Sequence, residues 1–184
     1  MALLVTHNSS AGGALVWMSL DGIWFGQHSA LGAVTGMVAG LGTITPASGF
    51  VGPGGALIIG ILAGFTCFNA TLYIKRVLKI DDSLDVFPVH GVGGALGTLM
   101  AGVFSATGLG VFSGYGFADG ISSMGGQLYV QFIGVIATVV FTAVMTWVIL
   151  KVVGALLGGL RVSEEDETQG LDITMHEERG YDDL

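Results

Sequence analysis

The sequence predicts an all-α fold, a polytopic bundle of helices that crosses a membrane several times. Of its 184 residues, 52% are hydrophobic and 11% are charged, whereas soluble domains carry about a quarter charged residues. The 32 glycines occur among Ala, Leu, Val and Ile and show no collagen period, which is typical of closely packed transmembrane helices. The third observation is the segment 85–104, a long run with an acidic start and one further ionisable residue, His90.

Five apolar runs, each bounded by turns or charged residues, are expected to form the spans: 3–20, 30–44, 56–74, 85–104 and 127–153. The first has a polar start and no basic residue before it, which argues against a signal peptide, and a short loop over 21–29 follows it. The third is apolar nearly all round and long enough to cross the roughly 30 Å hydrocarbon core. The last is longer than a perpendicular crossing needs, so we expect it to be tilted.

The second span is rich in small residues. Gly32, Gly36 and Gly40 lie four apart on one helical face, which predicts close packing on another helix rather than contact with lipid. Glycines and prolines at 45–49 and 52–55 predict turns that break the helix after this span.

The fourth span begins with an acidic segment. Asp81, Asp82 and Asp85, followed by Pro88, are typical of a helix N-terminus, where carboxylates cap the helix and balance its dipole. We therefore expect this helix to begin near residue 85 and to end near residue 104.

His90 projects from a face of small residues in the fourth span. At helical spacing this face also carries Gly94, Gly97 and Ala101, so it either packs on another helix or borders a narrow cavity. An imidazole inside a membrane span is costly, which indicates a substrate or proton path, and the alternative is a packing histidine hydrogen-bonded to a carbonyl group. A neutral imidazole donates with one nitrogen and accepts with the other, which suits a small polar solute.

Basic residues set the expected orientation. Lys75, Arg76 and Lys79 close the third span, and Lys151 and Arg161 flank the end of the last one, so both places are expected in the cytoplasm. Counting back from them places the N-terminus of the chain outside the cell. The first residues have the pattern of a helix interior rather than a helix start, so we expect the chain to be a piece of a longer one.

Composition divides the chain into two parts. Residues 1–160 are expected to form the transmembrane domain, and residues 161–184, which are acidic and poor in apolar side chains, a cytoplasmic tail. The net charge of −8 comes mostly from this tail, and nothing basic enough to hold nucleic acid is present. The lone Cys67 excludes an internal disulfide, and the motifs of enzymes, metal sites and cofactor sites are not found, so we predict neither catalysis nor a cofactor.

Three stretches resemble the C-terminal half of ammonium transporters of the Amt/Mep/Rh family. They are SALGAVTGMVAGLGTITPASGFVGPGGALIIG (29–60), KRVLKIDDSLDVFPVHGVGG (75–94), and the tail pattern GLRV (159–162), GLD (170–172) and HEERGY (176–181). The resemblance implies an eleven-helix fold of two inverted five-helix repeats plus a long final helix, of which this chain supplies the last five helices. It also implies a homotrimer in membrane lipid, with ammonium or ammonia as the solute and one pore in each subunit.

The resemblance places three residues in that pore. His90 matches the second of a pair of pore histidines, and Thr45 and Val86 match positions on the pore wall beside it. From spacing alone Thr45 belongs to an ordinary helix-ending turn, so both interpretations of Thr45 stay open. The implied mechanism is that ammonium is captured outside and deprotonated, that ammonia crosses a dry lumen along the histidine pair, and that a proton follows by a coupled route.

The resemblance further implies a cytoplasmic face on which a trimeric PII-type signalling protein docks. The residues assigned to this face are Lys75, Arg76, Lys79, Arg161, Gly170, Asp172, His176 and Tyr181. The tail departs from the family pattern at Glu177 and Gly180, where glycine and alanine are usual. Two other functions remain alternatives: an ammonium sensor whose output is a signalling partner at the tail, and a truncated product without activity.

Overall fold

The computed structural model describes residues 1–109 and 116–178, and within these residues it contains helices and turns but no strand. The α-helices are α1 (Ala2–Phe25), α2 (Ala30–Ile44), α3 (Pro53–Leu72), α4 (Gly93–Phe104), α5 (Met124–Leu157), α6 (Glu164–Gln169) and α7 (Leu171–His176). A 3-10 turn (Thr45–Ala47) ends α2, and two π-helical segments, Tyr73–Val77 and Phe87–Val92, end α3 and precede α4. The all-α prediction is confirmed.

Within residues 1–109 and 116–178, four segments are long and apolar enough to cross a membrane: Ala30–Ala47, Pro53–Val77, Phe87–Phe104 and Met124–Leu157. The expected first span, 3–20, lies within α1, which is not among these four. Polar side chains such as His7, Asn8 and Asp21 lower its hydropathy.

Helix boundaries agree with the sequence in some places and differ in others. The predicted span 30–44 is α2, residue for residue. In contrast, α1 continues beyond residue 20 to Phe25 and is closed by Gly26, whose φ of 70° is left-handed and whose N–H donates to the carbonyl oxygen of Gly22. The expected break lies between Ile44 and Pro53, but the third span begins at Pro53 rather than at residue 56. Proline fits the first helical position, where the missing N–H needs no partner inside the helix.

The glycine face of α2 packs on α1. Gly32, Gly36 and Gly40 are all buried, which confirms the predicted close packing. A methyl group added at Gly36 would press on Trp17, and one added at Gly40 would overlap the backbone of Ser9. The surface that this face meets therefore belongs to the same chain.

The chain divides into two compact units, Met1–Ile136 and Ala137–Leu184. The first contains α1 to α4 and the beginning of α5, and its interior consists of two groups of buried apolar side chains. One group contains Val5, Ile44, Ala47, Val51, Ala56, Ile59 and Ala101, and the other contains Trp17, Ala39, Cys67, Phe68 and Val89. The edge-to-face contact of Trp17 with Phe68, 5.4 Å between ring centroids, joins α1 to α3 in the second group.

The second unit contains the remainder of α5 followed by α6 and α7. Ser163 caps α6, because its hydroxyl accepts from the N–H of Asp166 at 3.1 Å. Gly170, with a φ of 99°, separates α6 from α7, a conformation in which a side chain would be strained.

Candidate functional site

His90 lies in the π-helical segment Phe87–Val92, and its side chain is exposed. The start of this segment is held by Asp82, whose two carboxylate oxygens accept from the N–H groups of Val86 and Phe87, each at 2.9 Å. The capping role predicted for the acidic segment is thus confirmed for Asp82. π-Helical turns are uncommon and occur often at functional sites.

The π-helical turn divides the face on which the sequence placed His90 with three small residues. Gly97 and Ala101 are buried, and a methyl group at Gly97 would overlap the carbonyl of Thr43 on α2. In contrast, His90 is exposed, and a methyl group at Gly94 would meet none of the described residues within 4 Å. The expected spacing assumed a regular helix, whereas a π-helical turn holds more residues than an α-helical one and rotates the side chains before it relative to those after it.

His90 and Val86 line the same open depression, which has a volume of about 570 Å³. The residues around it are mainly apolar, with two carboxylates at the loop end: Ile74, Leu78, Ile80, Asp81, Asp82, Val86, Phe87, His90 and Gly91. The structure therefore brings together two of the three residues that the sequence placed in a pore. The imidazole and the apolar wall beside it can exchange hydrogen bonds with a small neutral solute, whereas the two carboxylates at the loop end can attract a cation.

Thr45 has a different environment. Its hydroxyl donates to the carbonyl oxygen of Leu41, one turn earlier in α2, at 2.7 Å. Thr45 is exposed and is not among the described residues that line the depression. Its hydroxyl proton is committed to the backbone, so the side chain can only accept a hydrogen bond from a passing solute.

Sequence reasoning missed the neighbour of His90 on α2. A methyl group added at Gly42 would lie 3.8 Å from the imidazole Nδ1 and 3.7 Å from the carbonyl oxygen of Val89. Gly42 therefore lies beside the His90 segment, at a distance where an added methyl group would make an ordinary van der Waals contact. The glycine was visible in the sequence, but it lies off the Gly32–Gly40 face and carried no recognisable spacing.

The three basic residues at the end of α3 have separate environments. The Lys75 ammonium nitrogen lies 2.7 Å from a carboxylate oxygen of Asp85. The Arg76 guanidinium carbon lies 5.0 Å from the centroid of the Phe25 ring, a cation–π contact that ties α3 to the end of α1. Lys79 adopts a left-handed φ of 54° where the chain leaves the helix. The sequence predicted the basic cluster but not its partners.

In the tail, Arg161 forms a two-nitrogen contact with Glu167, at 3.1 Å from Nε and 2.7 Å from Nη2. Both side chains are largely exposed, so solvent screens this ion pair. The carbonyl oxygen of Gly170 accepts from the backbone and hydroxyl of Thr174, each at 3.1 Å. These residues fold the tail locally within the second unit.

The end of the tail contains the other assigned residues. Asp172 lies in the first turn of α7, its carbonyl oxygen accepts from the N–H of Glu178 at 2.9 Å, and His176 is the exposed last residue of that helix. Glu177 has a left-handed φ of 54°, a conformation that glycine adopts with less strain than a residue with a side chain. Tyr181 and Gly180 lie outside the described residues.

Membrane-length helices and glycine-mediated packing between them are the features of a polytopic membrane protein. The model of the Ammonium Transporter Family matches residues 1–181, and the chain belongs to this family. It is similar to the ammonium transporter of Bacillus subtilis, with 39% identity over 99% of this chain and 44% of the relative. It is also similar to ammonium transporter Amt1 of Archaeoglobus fulgidus, with 40% identity over 98% of this chain and 44% of the relative.

Among solved structures, the chain resembles one described as a sensor Amt protein. The TM-score is 0.82 at 28% identity, and the match covers 95% of this chain and 41% of that one. The chain thus spans less than half the length of the relatives it matches.

Proposed function

We propose that the protein containing this chain conducts ammonium as ammonia, and that this chain supplies one wall of the pore. The observation that carries the proposal is the position of His90 and Val86 on one apolar depression. Family membership supports the choice of solute. The first histidine of the pair and the external cation site come, in this proposal, from a segment outside this chain.

The proposed mechanism is selection by enforced deprotonation. Moving an ion into an apolar pore costs several kcal/mol at least, whereas neutral ammonia costs far less. A neutral imidazole at His90 accepts from or donates to ammonia without presenting a charge that would hold it. Potassium has no proton to lose and is excluded by the same barrier, while the proton released from ammonium follows a separate coupled route.

The proposal includes the assembly and the orientation. We place the chain in the cell membrane as five spans, with the start of the chain outside and residues 161–184 in the cytoplasm, since the basic residues at 75–79 and at 151 and 161 then face inward. The exposed apolar surface of α1, α2 and α5 suits lipid or neighbouring subunits of a homotrimer. A PII-type protein is the proposed regulator at the cytoplasmic face.

The test is uptake of radiolabelled methylammonium by cells that lack their own ammonium transporters. We expect residues 1–184 expressed alone to give neither a stable trimer nor uptake above background. The reason is that this chain supplies only the pore wall that carries His90, and the opposite wall comes, in this proposal, from another segment. Co-expression with the N-terminal half of a family member should restore both. A purified trimer of residues 1–184 that conducts ammonium unaided would contradict the proposal.

Ammonium sensing is the second candidate, and the likeness to a sensor Amt protein favours it. A sensor would show no ammonium flux while partner binding at the tail responds to ammonium. Flux measured together with tail binding separates the two functions, since only a transporter shows flux.

A further inference from the structure

The ion pair between Lys75 and Asp85 connects two π-helical segments. Lys75 belongs to Tyr73–Val77, and Asp85 lies two residues before Phe87–Val92. The pair measures 2.7 Å, and the Lys75 side chain is 37% exposed whereas that of Asp85 is 15% exposed, so salt screens the pair in part.

Asp85 has a backbone conformation that needs support. Its φ is 56°, in the left-handed region that L-residues with side chains seldom occupy, although aspartate tolerates it better than most. Its carbonyl oxygen accepts from the N–H of Val89 at 3.1 Å, so the conformation of Asp85 fixes the first turn before His90. Such backbone states persist where surrounding contacts hold them, and here Lys75 supplies a contact from the preceding helix.

The direction of the His90 imidazole depends on that first turn. Successive residues of an α-helix are rotated by about 100°, so the extra residue of a π-helical turn changes the direction of His90 relative to the buried Gly97 by roughly that angle. If the turn relaxed to a regular α-helix, His90 would change direction relative to α4, and Val86, one turn earlier on the same face, would change direction with it.

We propose that Lys75 and Asp85 are positioning residues for His90, which they hold over the depression by fixing the turn that precedes it. Asp82 acts at the same turn through its bonds to Val86 and Phe87, so one carboxylate holds the amides and the other ties the turn to α3. The effect on ammonium selectivity rests on the proposed function, whereas the positioning of His90 by Lys75 and Asp85 does not.

The test combines amide hydrogen exchange with ion selectivity, in the complete transporter reconstituted in lipid. The variants are Asp85→Asn, which keeps the size and the tolerance of a left-handed φ, and Lys75→Met, which keeps the chain length. In each we expect exchange at residues 86–91 to accelerate by roughly 5- to 30-fold, as an opening equilibrium shifts with loss of a stabilising contact. Selectivity for ammonium over potassium should fall in parallel.

Two further variants separate positioning from loss of charge. Arg76→Met removes the same charge from the adjacent residue, whose partner is Phe25, and should leave exchange at residues 86–91 unchanged. Lys75→Glu combined with Asp85→Lys re-forms the pair in reverse and should restore slow exchange and selectivity, since lysine already occupies a φ of 54° at Lys79.

The outcomes distinguish this inference from the proposed function. Unchanged exchange at residues 86–91 in Asp85→Asn and Lys75→Met would overturn the inference, even if the wild type transports ammonium. Suppose that exchange is faster in the two variants and that the wild type shows no ammonium flux. This result would support the positioning of His90 and overturn the proposed function. An exchanged pair that restores neither exchange nor selectivity would also overturn the inference.

Discussion

The hydroxyl of Ser9 donates a hydrogen bond to the carbonyl oxygen of Gly40, with 2.9 Å between the two oxygens, inside the bundle where both residues are buried. Gly60 of α3 approaches the same serine, since a methyl group added there would overlap the Ser9 carbonyl. Three helices therefore meet at Ser9. Small residues on two of them allow the approach, and a hydroxyl on the third provides a hydrogen bond of the kind that joins helices in a membrane.

We expect Gly40→Val to destabilise the bundle by about 1–3 kcal/mol, because its side chain would collide with the backbone of Ser9. The measurement is the midpoint of heat-induced loss of helical circular dichroism in detergent micelles. Gly54→Val is the matched control, since a side chain there would meet none of the described residues within 4 Å. Equal losses in the two variants would show that helix propensity, not helix contact, determines the effect.

Thr45→Val should lower ammonium flux by roughly fivefold, the equivalent of one hydrogen bond worth about 1 kcal/mol, if this hydroxyl accepts from the solute. Thr35→Val is the control, because each of these two threonine hydroxyls donates to the carbonyl oxygen of the residue four positions before it. The oxygen–oxygen distance is 3.0 Å from Thr35 to Leu31 and 2.7 Å from Thr45 to Leu41. Stopped-flow measurement of liposome pH after an ammonium jump compares the two. Equal flux in both variants would leave Thr45 as a helix-ending residue only.

Removal of residues 161–184 should abolish binding of a PII-type protein to the transporter. The acidic tail and the basic residues at 75–79 lie, in this account, on the same side of the membrane, so the binding should also weaken with salt. Pull-down at low and high ionic strength, with and without the tail, is the measurement. Binding that ignores both the deletion and the salt would place the partner elsewhere.

The sequence predicted the helices and their buried faces better than it predicted the π-helical turn and the exact helix starts. The bounds of α2 and the burial of its glycines followed from turns and from spacing at four residues, both of which are local signals. The π-helical turn at Phe87–Val92 could not be predicted in this way, because the spacing from His90 to Ala101 fits a regular helix equally well. Pro53 lies in a glycine-rich run that predicts a turn, yet proline is also favourable at the start of a helix, which is where the structure places it.

In the candidate site, too, the sequence predicted which residues lie together but not the local contacts between them. Family resemblance placed His90 and Val86 together, and they share one depression. The ion pair of Lys75 with Asp85 joins residues ten apart across a loop, and it occurs together with a left-handed backbone at Asp85, which no pattern in the sequence indicates. Charges on a loop reveal that a pair can form, whereas the fold determines which pair does form.

The most direct measurement compares ammonium and potassium movement through the complete transporter in proteoliposomes, for the wild type, His90→Ala and His28→Ala. The histidine His28 is a control because its Nδ1 lies 2.9 Å from the carbonyl oxygen of Met18, away from the depression. We predict that His90→Ala loses at least about tenfold in selectivity for ammonium over potassium, equivalent to about 1.4 kcal/mol, while His28→Ala retains it and both remain assembled. Unchanged ammonium flux and unchanged potassium exclusion in His90→Ala would contradict the account.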